Sequence, residues 1–144
     1  MKRPTPQLGT ETDTLGARIV AWLIDAILMG LITGALVAPL NVFGNGGVTL
    51  GGSIGLLLTL AYFIYMEATY GQTFGKRLMK IVVVKEDGGP TDMEASLIRN
   101  VLRLVDNFPF IYLVGLLFIW FSDRDQRLGD MLADTVVVRV DPQA

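Results

Sequence analysis

Residues 16–38 read GARIVAWLIDAILMGLITGALVA, and this stretch decides the class of the protein. Residues 19–38 are twenty positions with a single charge, Asp25, and about 20 apolar residues at 1.5 Å each cross the ~30 Å hydrocarbon core of a bilayer. A surface helix of a soluble domain would carry a charged face here. The spacing therefore predicts a transmembrane helix over residues 19–38.

Moving outward, Pro39 closes the helix and residues 41–47, NVFGNGG, have the composition of a short exposed loop. A second apolar run over residues 48–66 is again of spanning length, with Tyr62 and Tyr65 placed for the aromatic belt at the water interface. The 41 positions 26–66 carry no charge at all. The whole 144-residue chain is 51% hydrophobic, with a mean hydropathy of +0.49, too apolar for a soluble domain of this length.

Orientation follows from the cations. Lys2, Arg3 and Arg18 precede the hairpin, Lys76, Arg77, Lys80 and Lys85 follow it, and the loop between the helices has none. The expectation is a multi-pass protein of the plasma membrane with a cytoplasmic N-terminus. Residues 1–15 read as a cytoplasmic tail and residues 16–140 as the membrane domain, followed by a short tail at 141–144. No cleaved signal peptide is expected, because the apolar block is too long and begins too late.

Two β-branched runs lie outside the hairpin: residues 80–85, KIVVVK, and residues 135–140, TVVVRV. Two lone strands are expected to pair, since each exposes a hydrogen-bonding edge. Between them, residues 95–121 form a broken apolar segment that contains Arg99, Arg103 and Asp106 and is interrupted at Asn107-Phe108-Pro109. It either crosses with a kink or enters and returns to the side it left. Paired strands favour the return. The fold class is mainly α: two spanning helices, a broken third segment and a two-stranded cytoplasmic element.

The chain has neither Cys nor His. This removes disulfides, thiol and imidazole metal ligands, and every nucleophile–base pair that needs those side chains. No enzyme, cofactor or metal is expected. A net charge of −2 without a basic face argues against nucleic acid. Residues 71–77, GQTFGKR, lack the glycine and lysine spacing of a phosphate loop. Lys76, Arg77 and Lys80 are instead expected to meet anionic lipid headgroups.

Asp25 lies about 10 Å deeper than Arg18 along the helix axis. Seven residues are two turns, so the pair shares a face. An aspartate facing lipid costs roughly 2.5–3.5 kcal/mol on insertion scales, so Asp25 should face protein or water. Arg99 and Asp106 repeat the spacing. Arg18, Asp25 and Asp106 are accordingly candidates for an ion or proton path, or else for buried helix-locking pairs. Glu67, at the level of Arg18, reads as an interfacial ion-pair partner. Gly30 with Gly34 and Gly51 with Gly55 permit close helix approach, within the chain or in a homo-oligomer.

Three blocks together resemble the RDD family, named for an arginine and two aspartates: GARIVAWLID over residues 16–25, GQTFGKRLMKIVVV over 71–84, and QRLGDMLADTVVV over 126–138. The resemblance implies that Arg18 and Asp25 are the family arginine and first aspartate. It assigns the second aspartate to Asp130, with Asp106 as the competitor, and adds Asp130 to the candidate path at its cytoplasmic entrance. Asp134 stands where the family pattern usually has a small, glycine-like residue. The resemblance further implies a membrane protein in which transport is suspected, with cation–proton exchange in some members. The rival expectation is a non-transporting scaffold or accessory subunit.

Overall fold

The computed structural model describes residues 2–106 and 126–142, the last three of the first stretch by backbone only. The first apolar block forms helix α1, Leu15–Val37. A 3-10 turn, Ala38–Phe43, with Pro39 in its first turn, leads into helix α2, Gly44–Tyr70. The expected loop at 41–47 is therefore not irregular chain. Gly44 takes φ +65° and reverses direction, and residues 45–47 already belong to α2 because Gly47 lets the helix close on the Leu40 carbonyl, which any Cβ would strike.

The helices run antiparallel. Gly51 faces Val37, Gly55 faces Thr33, and Tyr62 reaches Asp25, so one helix ascends as the other descends. The stretch Leu15–Tyr70 is long and apolar enough to cross a membrane, and only 17% of its most apolar window is buried within the protein. Ile27, Leu31, Leu36, Leu57 and others lie exposed along it. A soluble core helix would bury these side chains.

Gly71, at φ +68°, ends α2 with its N–H on the Glu67 carbonyl. The chain then forms the short helix α3, Phe74–Leu78, and strand β2, Ile81–Lys85. Helix α4, Met93–Asp106, follows. After residues 107–125 come the short helix α5, Leu128–Leu132, and strand β3, Thr135–Val140. The continuation of the third apolar segment beyond Asp106 lies outside the described residues.

β2 and β3 pair antiparallel as expected, Val83 opposite Val137. The sheet has three strands rather than two. Pro6–Gln7, within the expected tail, forms β1 and pairs with β3, in the order β1-β3-β2. Proline is tolerated there because β1 is an edge strand. Ile81, Val83 and Val137 pack on Ala17 and Ala21 of α1, and Val82, Val84, Val136 and Val138 form a second cluster on the opposite face. Both faces of the sheet are thus covered, which explains unbroken valine runs where a half-exposed strand would alternate.

The two short helix–strand units are copies of one another. Residues 72–85, QTFGKRLMKIVVVK, and 126–139, QRLGDMLADTVVVR, align without gaps at an offset of 54, with six identities in fourteen. Gln72 donates to the Ile81 carbonyl at 2.8 Å, and Gln126 to the Thr135 carbonyl at 3.0 Å. Lys80 and Asp134, equivalent positions before each strand, are the two non-glycine residues with left-handed backbone among the described residues, φ +54° and +48°. The pairing 81↔139 and 85↔135 is unchanged when the two units are exchanged, so a local twofold passes between Val83 and Val137.

Candidate functional site

Asp25 is 1% exposed. Its carboxylate accepts three hydrogen bonds: from the Tyr62 hydroxyl on α2 at 2.8 Å, from the Thr73 hydroxyl at 2.5 Å and from the Gly75 N–H at 2.8 Å. Thr73 caps α3, and the Tyr62 hydroxyl also accepts from the Phe74 N–H at 2.9 Å. Asp25 thus closes the first turn of α3 from outside, supplying the acceptor that the free N–H groups of a helix start need. Gly75 makes this approach possible, because a Cβ there would collide with the Ala21 carbonyl.

Asp130 occupies the equivalent unit. Arg18 reaches one of its oxygens at 2.5 Å and Arg99 the other at 2.5 Å, while the Arg127 N–H donates to it at 3.3 Å. Arg99 continues to Glu67 at 3.2 Å, and Glu67 also binds Lys76 and accepts from Asn100 at 3.3 Å. Five charged side chains from α1, α2, α3, α4 and α5 therefore form one buried chain of pairs.

Burial opposes ionisation of Asp130, but Arg99, Arg18 and Arg127 outweigh it and hold the carboxyl well below the usual carboxylate range. Burial pulls the Lys76 ammonium down to about 8 against the attraction of Glu67. The Arg127 guanidinium is lowered to about 10, by burial first and then by the like charges of Arg18 and Arg103.

Helix α4 supports this chain by presenting its polar side inward. Ser96, Arg99 and Asn100 are buried while Met93, Leu97 and Val101, each four residues apart, are exposed. This is the reverse of a soluble amphipathic helix and fits one lying with its apolar stripe in lipid.

The structure therefore sorts the sequence candidates. Arg18 and Asp25 share a face, as their spacing predicts, but Arg18 pairs with Asp130. Glu67 does not form the expected surface pair with Arg18; it is fully buried, on Lys76 and Arg99. Lys76 is corrected from headgroup ligand to internal partner: it is 5% exposed because α3 lies against α1 and turns it towards Glu67. Arg77 and Lys80 are exposed. The Tyr62 hydroxyl donates to Asp25. Gly51 and Gly55 contact α1 of the same chain, so that pair is occupied within the hairpin, whereas Gly30 and Gly34 face open space. The Asp106 side chain lies outside the described residues. Sequence reasoning missed Thr73, although a threonine directly before a short helix is an N-cap pattern.

Arg18, Asp25, Glu67, Lys76, Arg99 and Asp130 surround a cavity of about 20 Å³, roughly the space of one water. No cluster of three or more potential metal ligands occurs among the described residues.

The model of the RDD family matches residues 12–134, spanning all five charged side chains of the network. The chain belongs to the RDD family. Among its relatives is the uncharacterized membrane protein YteJ of Bacillus subtilis, 31% identical over 130 residues, covering 84% of this chain and 77% of that protein. The proline-rich antigen homolog of Mycobacterium tuberculosis is 33% identical over 86 residues, 56% of this chain, and the match spans about a third of that protein's length, 35%. No solved structure matches. Within the RDD frame the two-turn spacing of Arg18 and Asp25 has a geometric meaning: one helix grips both copies of the helix–strand unit, the second copy through Arg18 and the first through Asp25.

Proposed function

We propose that this RDD membrane protein is a non-transporting scaffold or accessory subunit whose arginine and aspartates lock a transmembrane hairpin onto a cytoplasmic cap. The observation that carries this reading is the threefold hydrogen bonding of the buried Asp25 carboxylate by its own chain. A proton-exchanging acid needs water or a relay partner, and fixed donors hold three of the roughly four acceptor sites of this carboxylate. No enzymatic step is part of the reading.

In this arrangement α1 and α2 are two full spans, and the cation-rich side is cytoplasmic. β1, β2 and β3 share one sheet, so the N-terminal strand and the C-terminal strand lie on that same side in this reading. A cysteine added after Ala144, in a chain with none of its own, is expected to resist an impermeant thiol reagent in intact cells and to react after permeabilisation. Labelling from outside would sink the topology.

One observation favours the second reading, exchange of cations for protons through an oligomer: Asp25, Glu67 and Asp130 border a single cavity. The oligomer would use the Gly30–Gly34 face that the hairpin leaves open. Asp25→Asn separates the two. It preserves shape but turns one acceptor oxygen into a donor opposed to the Thr73 hydroxyl or the Gly75 N–H. Under the locking reading the variant loses about 1–3 kcal/mol of stability, and proteoliposomes of the unsubstituted protein show no cation-driven proton flux. A flux in the parent protein, abolished in a normally stable Asp25→Asn variant, would establish exchange instead.

A further inference from the structure

The cavity is lined by five cations, Arg18, Lys76, Arg99, Arg103 and Arg127, and three carboxylates, Asp25, Glu67 and Asp130. Each carboxylate is committed. Asp25 serves Tyr62, Thr73 and Gly75, Glu67 serves Lys76 and Arg99, and Asp130 serves Arg18 and Arg99. Among the described residues, two of the guanidiniums have no carboxylate within ion-pair distance.

Arg103 lies 4.5 Å above the Phe63 ring and makes one long hydrogen bond, 3.4 Å, to Asn100. Arg127 has no ion pair among the described residues. Both are half-buried, and both line the same cavity. A partly desolvated surplus of positive charge is costly unless an anion answers it, and guanidiniums match the oxygens of phosphate in particular.

We propose that Arg103 and Arg127 bind a phosphate group, with one oxygen entering the cavity and the remainder at its opening. The cavity admits one water-sized atom, which suits a single phosphate oxygen and excludes a larger ligand from the interior. Two sources offer this chemistry: the headgroup of an anionic lipid and free inorganic phosphate. The location, at the end of the hairpin and beside the exposed apolar stripe of α4, brings a headgroup within reach.

The test is thermal unfolding of the full-length, delipidated protein in neutral detergent, titrated with inorganic phosphate in one arm, and with phosphatidylglycerol or, as the control, phosphatidylcholine in the other. The parent protein is expected to gain stability from phosphatidylglycerol and not from phosphatidylcholine. Half-saturation should weaken about tenfold, ~1.4 kcal/mol, in Arg103→Gln or Arg127→Gln and the effect vanish in the double variant. The exposed Arg77→Gln is expected to leave the titration unchanged. Because neither guanidinium pairs with a carboxylate among the described residues, the glutamine variants are expected to fold, and their unfolding temperature without ligand checks this directly.

A matching gain from inorganic phosphate assigns the site to the free ion as well; a gain from phosphatidylglycerol alone assigns it to the lipid. No gain from either, or a gain that survives in a folded double variant, overturns the proposal. Neither result bears on whether Asp25 exchanges protons.

Discussion

The units at residues 72–85 and 126–139 have the same backbone and opposite charge at the same place. Lys76 and Asp130 are equivalent positions at the offset of 54, both buried, both in the first turn or so of a short helix whose glycine neighbour allows close packing on a longer helix. Gly75 sits on Ala21 of α1, and Gly129 on Arg99 and Leu102 of α4. The contact is tighter in the first unit, where a Cβ would strike backbone, than in the second, where it would lie 3.1 Å from the Arg99 carbonyl oxygen. The first unit also imports its helix-start acceptor, Asp25, from α1, whereas the second carries its own, Asp130, which caps the backbone and reaches outward to two arginines. The difference teaches what Arg18, Asp25 and Asp130 hold together in this chain. A repeated backbone alone would leave the two units interchangeable, and opposite charges, each matched to its own helices, assign every unit one seat.

The sharpest way to break this comparison is to exchange the charges. Lys76→Asp combined with Asp130→Lys keeps net charge, composition and helix lengths, yet sets an acid against Glu67 and a cation between Arg18 and Arg99. Breaking one buried pair costs about 3–5 kcal/mol, and the exchange breaks both while adding repulsion. A typical domain has ~5–15 kcal/mol in all. The double variant is expected to fail to accumulate as a monodisperse species in detergent. A well-folded product by size exclusion and thermal unfolding would mean that the units are interchangeable after all.

Much of this architecture was legible in residues. The long apolar helical stretch Leu15–Tyr70, the two valine strands and their pairing all follow from periodicity and composition. Arg18 and Asp25 stood out because charge in an apolar run demands a partner. Their partners did not stand out. The Asp130 carboxylate is 112 residues from Arg18, and spacing along one helix says which residues share a face but not which distant segment meets it. Lys76 and Arg77 look alike in sequence, and only the seating of α3 on α1 through Gly75 turns one inward and leaves the other exposed. β1 was hidden because a two-residue strand that includes Pro6 carries no strand pattern. The internal repeat was present in the residues throughout, diluted by eight substitutions in fourteen positions that include the charge reversal.

The smallest expected effect tests the repeat at the position where both units strain the backbone. Lys80 and Asp134 hold left-handed φ values of +54° and +48° where the chain turns from helix to strand. The left-handed conformation costs an L-residue roughly 1–2 kcal/mol, less for aspartate, whose short polar side chain bonds locally. Glycine removes that strain but loses more chain entropy on folding, ~0.5–1 kcal/mol. Lys80→Gly is therefore expected to stabilise by about 0.5–1 kcal/mol, and Asp134→Gly by less, both read as shifts in the denaturant midpoint. Equal gains would mean that aspartate has no local advantage at its site. A loss at Lys80 would mean that its side chain contributes more to β2 than its backbone costs, and the two units would then differ in their turns as well as in their charges.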